Sequence, residues 1–125
     1  MIATHLADAS AWAQLSRNDV AARLVPLLVG GGAATCGIID LEVLANFDDP
    51  AERAEAAAER EMLPRVEIDD RTLARALEVQ ALVASASVTA LVVAAAAERA
   101  GLILLHQRDD HDAIAAATGQ PAERV

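Results

Sequence analysis

Lysine is missing altogether from this chain: all ten basic residues are arginine, set against nineteen aspartates and glutamates. The resulting net charge of −9 argues against sequence-independent nucleic-acid binding, which rests on basic residues that release counterions from phosphate. It suits a cation site or a basic protein partner, and part of it serves to keep the surface soluble. Cysteine is nearly missing too. With Cys36 alone, no intramolecular disulfide is possible, and a reducing, cytoplasmic compartment is expected. No basic segment precedes an apolar one at the start, so no signal peptide is expected. The uncharged run from Ala81 to Ala97 falls short of the roughly 20 apolar residues a bilayer requires. Ser85, Ser87 and Thr89 interrupt it, so it reads as a buried helix. Neither repeats nor a Gly/Ser spacer divides the chain, which leaves one domain over residues 1–125, long enough to bury a core.

What is present alternates between strand-like and helix-like segments. His5-Leu6-Ala7 reads as a strand. Asn18 or Asp19 then caps a helix with Val20, Leu24, Leu27 and Leu28 on one stripe, and Gly30-Gly31-Gly32 stops it. A short strand from Ala33 to Cys36 leads into a helix from Ile39 to Asn46. "DPAE", Asp49 to Glu52, sets an acid, a proline and a glutamate at the positions that start a helix. That helix, Ala51 to Met62, is mostly alanine and charge and belongs on the surface. A strand is expected near Arg65 to Ile68. Asp69 or Asp70 then caps a helix with Leu73, Leu77 and Ala81 in register. An apolar helix from Val88 to Arg99 closes at Gly101. "LILL", Leu102 to Leu105, has the form of a strand buried on both faces, and an acidic helix from Asp109 to Ala117 follows. Alternation of this kind predicts an α/β sandwich whose central, mainly parallel sheet is flanked by helices.

Several acids fall just beyond those strands. Asp8 ends the first, Asp40 and Glu42 follow the second, and Asp109, Asp110 and Asp112 follow "LILL". In a parallel sheet these ends share one edge, where ligands of open α/β folds bind. Carboxylates that meet there raise one another's pKa unless a cation compensates, and Mg²⁺ takes such hard oxygen ligands. Each acid also has a plainer reading. Asp8 suits a helix cap, and Asp109 and Asp112 suit the first turn of a helix, where the dipole favours them.

"LADASAW", "TCGIIDLEVL" and "AAAAERAGLILLHQRDDHDAIAAATGQPAERV", in that order and over nearly the whole chain, resemble PIN-domain proteins, and more narrowly the VapC toxins of VapBC toxin–antitoxin pairs. The resemblance implies a small α/β fold around a parallel sheet and a ribonuclease dependent on Mg²⁺ or Mn²⁺ that uses three or four acids. Matched residue by residue, the first family acid falls on Asp8, with Ser10 as the hydroxyl that supports a carboxylate or bound water. The glutamate falls on Glu42 and the late acid on Asp110. Asp40 is one position off and is expected to face away, and His106 reads as structural.

The chain departs from the pattern in three places. The third acid, which opens the apolar helix of relatives, is Ala90 in "ALVVAAAAE". Arg108 stands where relatives carry Asp or Asn, as a possible contact for substrate phosphate or a replacement for the metal's charge. The segment before the helix, "VASASV" (residues 84–88 at its centre), is short and lacks basic residues. Two functions follow from the resemblance. One is a type II toxin that cleaves RNA with a divalent metal, through Asp8, Glu42 and Asp110. The other is a degenerate PIN domain that holds an antitoxin or RNA without cutting. A third option, unrelated to the family, is an α/β domain whose acids are only caps. A hydrophobic content of 54% and a mean hydropathy of +0.29 predict apolar surface covered by partners. These are a VapB-like antitoxin over the helix from Val20 to Val29, and a second copy of the chain.

Overall fold

Three buried residues, His5–Ala7, form β1, the strand around which the sheet is laid. In the computed structural model, which describes residues 2–125, β2 (Ala33–Ala34) and β3 (Ile103–His106) flank it, and β4 (Ala122–Arg124) lies beyond β3. The order is β2-β1-β3-β4 and every pairing is parallel, with Leu6 opposite Ala34 on one side and Leu104 on the other. Around the sheet run α1 (Ala9–Trp12), α2 (Asn18–Val29), α3 (Gly37–Leu44), α4 (Pro50–Glu61), α5 (Asp70–Leu82), α6 (Val88–Ala100) and α7 (Asp109–Thr118). This is the expected architecture of a parallel sheet between helices.

The packing explains where individual expectations shift. Every residue of α6 from Ala90 to Ala97 is buried, so this helix is apolar all round because it is enclosed all round. Small residues let its neighbours approach closely. Accordingly α5 turns Thr72, Ala76 and Val79 inward, not the expected Leu73, Leu77 and Ala81: Leu73 and Leu77 are left exposed. No helix among the described residues is long and apolar enough to cross a membrane.

The strand expected at Arg65 to Ile68 is reduced to one parallel bridge from Arg65 to Thr35. Val66 and Ile68 pack against the core instead of extending the ladder. β4, which the sequence does not announce, is a polar edge strand, Ala-Glu-Arg, held by Arg23 to Glu123 at 2.6 Å. Helix α2 starts at Asn18 with Arg17 as a cap that makes no side-chain bond, one residue before the expected position. Helix α4 follows its sequence signal: the Asp49 carboxylate accepts from the Glu52 N–H at 3.1 Å, with Pro50 in the first turn. Gly101 ends α6 at φ +70, a conformation in which an added side chain is strained.

Candidate functional site

Chain direction brings the exits of β1 and β3 and the helix after β2 to one edge of the sheet. Asp8 leaves β1 as the N-cap of α1. Its Oδ2 accepts from the Ser10 N–H at 3.0 Å and from the Ser10 hydroxyl at 2.5 Å. The Ser10 oxygen in turn accepts from the Gln107 N–H at 2.9 Å, which ties the two strand exits together. Asp8 Oδ1 lies 3.3 Å from His111 Nε2 without the alignment of a hydrogen bond. Both side chains are fully buried. Burial pushes the Asp8 carboxyl up, but His111 and the two bonds from Ser10 outweigh it and hold the group at about 2. Asp8 is therefore both a cap and a buried anion, so the two readings of this residue do not exclude each other.

Glu42 faces the same edge from α3. Burial and the neighbouring Asp8 charge raise its carboxyl, against the opposing pull of Arg108 and His111. Its Oε1 is buried without a hydrogen-bond partner. Asp110 opens α7 and turns to the start of α6. Its Oδ2 accepts from the Ser87 N–H at 3.0 Å and from Arg108 Nη2 at 3.2 Å. The Ser87 N–H is the main cause that lowers its carboxyl, with Arg108 adding to the effect. Arg108 Nη2 also donates to Ser87 Oγ at 2.8 Å, while Nη1 stands 3.8 Å from Glu42 Oε2. Ala90 is fully buried in the first turn of α6, and its N–H donates to the same Ser87 Oγ at 3.1 Å. Beside these residues opens a cleft of about 370 Å³ lined by Ser10, Glu42, Asn46 and Arg108 together with alanines.

The other acids lie elsewhere. Asp40 accepts from Arg60 and Arg65, each at 2.7 Å, and from the Thr35 hydroxyl at 2.8 Å. It faces away from the edge and clamps α3 to α4, where Arg60 also stacks over Trp12 at 4.6 Å. Asp109 and Asp112 are held by Arg124 on the surface. His106 is buried, and its Nδ1 accepts from the Arg108 N–H at 3.1 Å. His111 and Ser87 are the contributors that sequence reasoning missed. For His111 a signal existed, because it stands three residues before the buried Ile114 on the inward face of α7.

Among the described residues no three His, Cys, Asp or Glu side chains converge in a geometry that holds a metal ion. Asp110 is engaged by Arg108 and Ser87. Asp8 and Glu42 remain, each with a buried oxygen that makes no hydrogen bond. The hard oxygen donors and negative charge of that pair suit a divalent ion such as Mg²⁺, which is commonly held by one or two carboxylates.

A parallel four-stranded sheet between helices, with acids beyond its carboxyl ends, defines the class as an α/β domain. No protein-family profile matches the chain. Among curated proteins it is 34% identical to Ribonuclease VapC18 of Mycobacterium tuberculosis, over 94% of this chain and 92% of the relative. It is 34% identical to Ribonuclease VapC51 of the same organism, over 100% of this chain and 95% of the relative. The chain belongs to the VapC family. Solved structures share the fold. A chain of DNA-bound VapBC from Salmonella typhimurium superposes with a TM-score of 0.78 at 12% identity, covering 98% of both chains. One from VapBC2 of Rickettsia felis, bound to a DNA fragment from their promoter, superposes at 0.76 and 10% identity, covering 100% of this chain and 99% of that one.

Proposed function

We propose that this chain is the toxin of a VapBC-type pair, an endoribonuclease that hydrolyses RNA phosphodiester bonds with Mg²⁺ or Mn²⁺. One observation carries the reading: Asp8 and Glu42 meet at the strand-end edge, where Glu42 Oε1 is buried without a hydrogen-bond partner and Asp8 Oδ1 has only His111 Nε2 at 3.3 Å. Buried polar atoms are nearly always satisfied, and a cation is a partner that would satisfy Glu42. Asp8 and Glu42 would hold the ion. When bound, such an ion supplies charge stabilisation to a phosphodiester in the adjoining cleft.

The chain's own residues divide the remaining work. Asp8, fixed by Ser10 and held at about 2, is a constant negative charge at neutral pH. Glu42, whose carboxyl is raised by burial and by Asp8, stands beside it at the same edge and would share the ion with it. Arg108, with 26% of its side chain exposed, meets the phosphate at the cleft, and Asp110 and Ser87 position its guanidinium. Relatives named ribonucleases support RNA as the substrate.

The same reading assigns partners. A VapB-like antitoxin lies over the apolar cleft of about 320 Å³ lined by Trp12, Leu28, Val43, Phe47 and Leu63. Of the α2 stripe only Leu28 reaches that cleft, because Val20 and Leu24 are core. A second copy of the chain covers the exposed Leu73, Leu77 and Val88.

The folded chain should cut a structured RNA in Mn²⁺, stop in EDTA, and lose the activity in Asp8→Asn. RNA left intact by folded protein in Mn²⁺ overturns the nuclease and leaves the second reading, a domain that binds antitoxin or RNA without cutting. The observation that favours this second reading is the bond from Arg108 to Asp110 Oδ2, which sets a positive charge on a third carboxylate of the edge.

A further inference from the structure

We infer that Arg108 is the resident counterion of the acidic edge, a tethered cation that stands between Glu42 and Asp110 and competes with any divalent ion for the site. The inference rests on reading Asp8 and Glu42 as a cation-binding pair. Three features hold the guanidinium there. The Arg108 N–H is anchored on His106 Nδ1 at 3.1 Å, at the exit of β3. Nη2 bonds both Ser87 Oγ at 2.8 Å and Asp110 Oδ2 at 3.2 Å. Nη1 reaches toward Glu42 Oε2, 3.8 Å away. One side chain thus joins the cap of α6, the first turn of α7 and the face of α3, which ordinary surface ion pairs do not do.

The charges make the competition direct. Asp8, Glu42 and Asp110 bring three carboxylates to the edge, and the guanidinium cancels one charge before any ion arrives. A fixed positive charge within about 4 Å of a ligand carboxylate repels an incoming dication strongly in this partly buried setting. Asp110 keeps its bond from the Ser87 N–H at 3.0 Å when Arg108 is gone, so removing the arginine should free charge without dismantling the start of α7.

The test is Mn²⁺ binding, read from the electron paramagnetic resonance signal of free ion and from calorimetry, on the intact chain. The parent should bind weakly, Arg108→Gln at least about tenfold more tightly, and Arg108→Lys like the parent because the charge is kept. In EDTA, Arg108→Gln should melt below the parent and recover with Mn²⁺, a rescue that a purely structural arginine would not show. Equal Mn²⁺ affinity in folded parent and Arg108→Gln overturns the inference. Low-micromolar affinity in the parent also overturns it, and that arm needs no variant to fold. The two readings fail separately. Tighter binding in Arg108→Gln, lost again with Asp8→Asn, while no form cuts RNA, supports the counterion and sinks the nuclease. Unchanged binding beside metal-dependent cutting does the reverse.

Discussion

Replacing Asp8 with asparagine keeps the shape of a buried side chain and removes only its charge. The carboxyl stands at about 2, against an ordinary 3.8. At about 1.4 kcal/mol per pH unit, that gap amounts to about 2 kcal/mol of stability drawn from His111 and Ser10. Because the folded-state value is depressed, the contribution is complete above the unfolded value near 4 and is lost as pH falls through about 2. Asp8→Asn should therefore cost about 2 kcal/mol at pH 7 in EDTA. Near pH 3 about half of that should remain, since protonated aspartate and asparagine are nearly isosteric. Urea unfolding of both proteins across this range, followed by circular dichroism, measures the gap directly. Equal stability at pH 7, or a gap that does not narrow on acidification, refutes the account of Asp8 as a stabilised buried anion.

Asp40→Ala leaves the Arg60 guanidinium buried without its carboxylate, and breaking a buried pair costs about 3–5 kcal/mol. Urea midpoints should fall accordingly, whereas Asp109→Ala, which removes a fully exposed carboxylate, should leave them nearly unchanged. Ala90→Asp places an acid in the first turn of α6, where the dipole favours it, but into a fully buried position beside Ser87. It should lower the melting temperature in EDTA. It should tighten Mn²⁺ binding most when paired with Arg108→Asp, and calorimetry that finds no gain in a folded double variant would show that position 90 does not face the metal edge.

The layering was legible because its signals are local and strong. The apolar run of Leu102 to Leu105 marks a buried strand, and Asp49-Pro50 marks a helix start that the Glu52 N–H completes at 3.1 Å. The strand-end acids were legible for the same reason, since a parallel sheet fixes which end of each strand they occupy. β4 was not, because an edge strand of Ala-Glu-Arg carries no apolar alternation and owes its place to β3 and to Arg23. The inward face of α5 was misread because leucine usually outranks alanine in a core. Here the partner helix is so finely packed that Ala76 and Val79 fit where Leu73 and Leu77 do not. The contacts of Arg108 join residues 42 and 110 of two helices with the caps at 87 and 108, a convergence that no spacing in the chain records.

The place of β1 at the centre of the sheet has a kinetic consequence. Its register pairs His5 with Ile103 and Leu6 with Leu104, partners nearly a full chain length apart. Closing so long a loop must precede any reward from the sheet. The α5–α6 pair, by contrast, joins neighbours in sequence and is able to form early. Until β1 and β3 meet, no central strand exists, the apolar length of α6 lacks its cover, and Asp8, Glu42 and Asp110 share no edge. Assembly of the site therefore waits on the slow, long-range closure and not on its local helices, and a chain halted before that step carries every residue of the site and none of its chemistry.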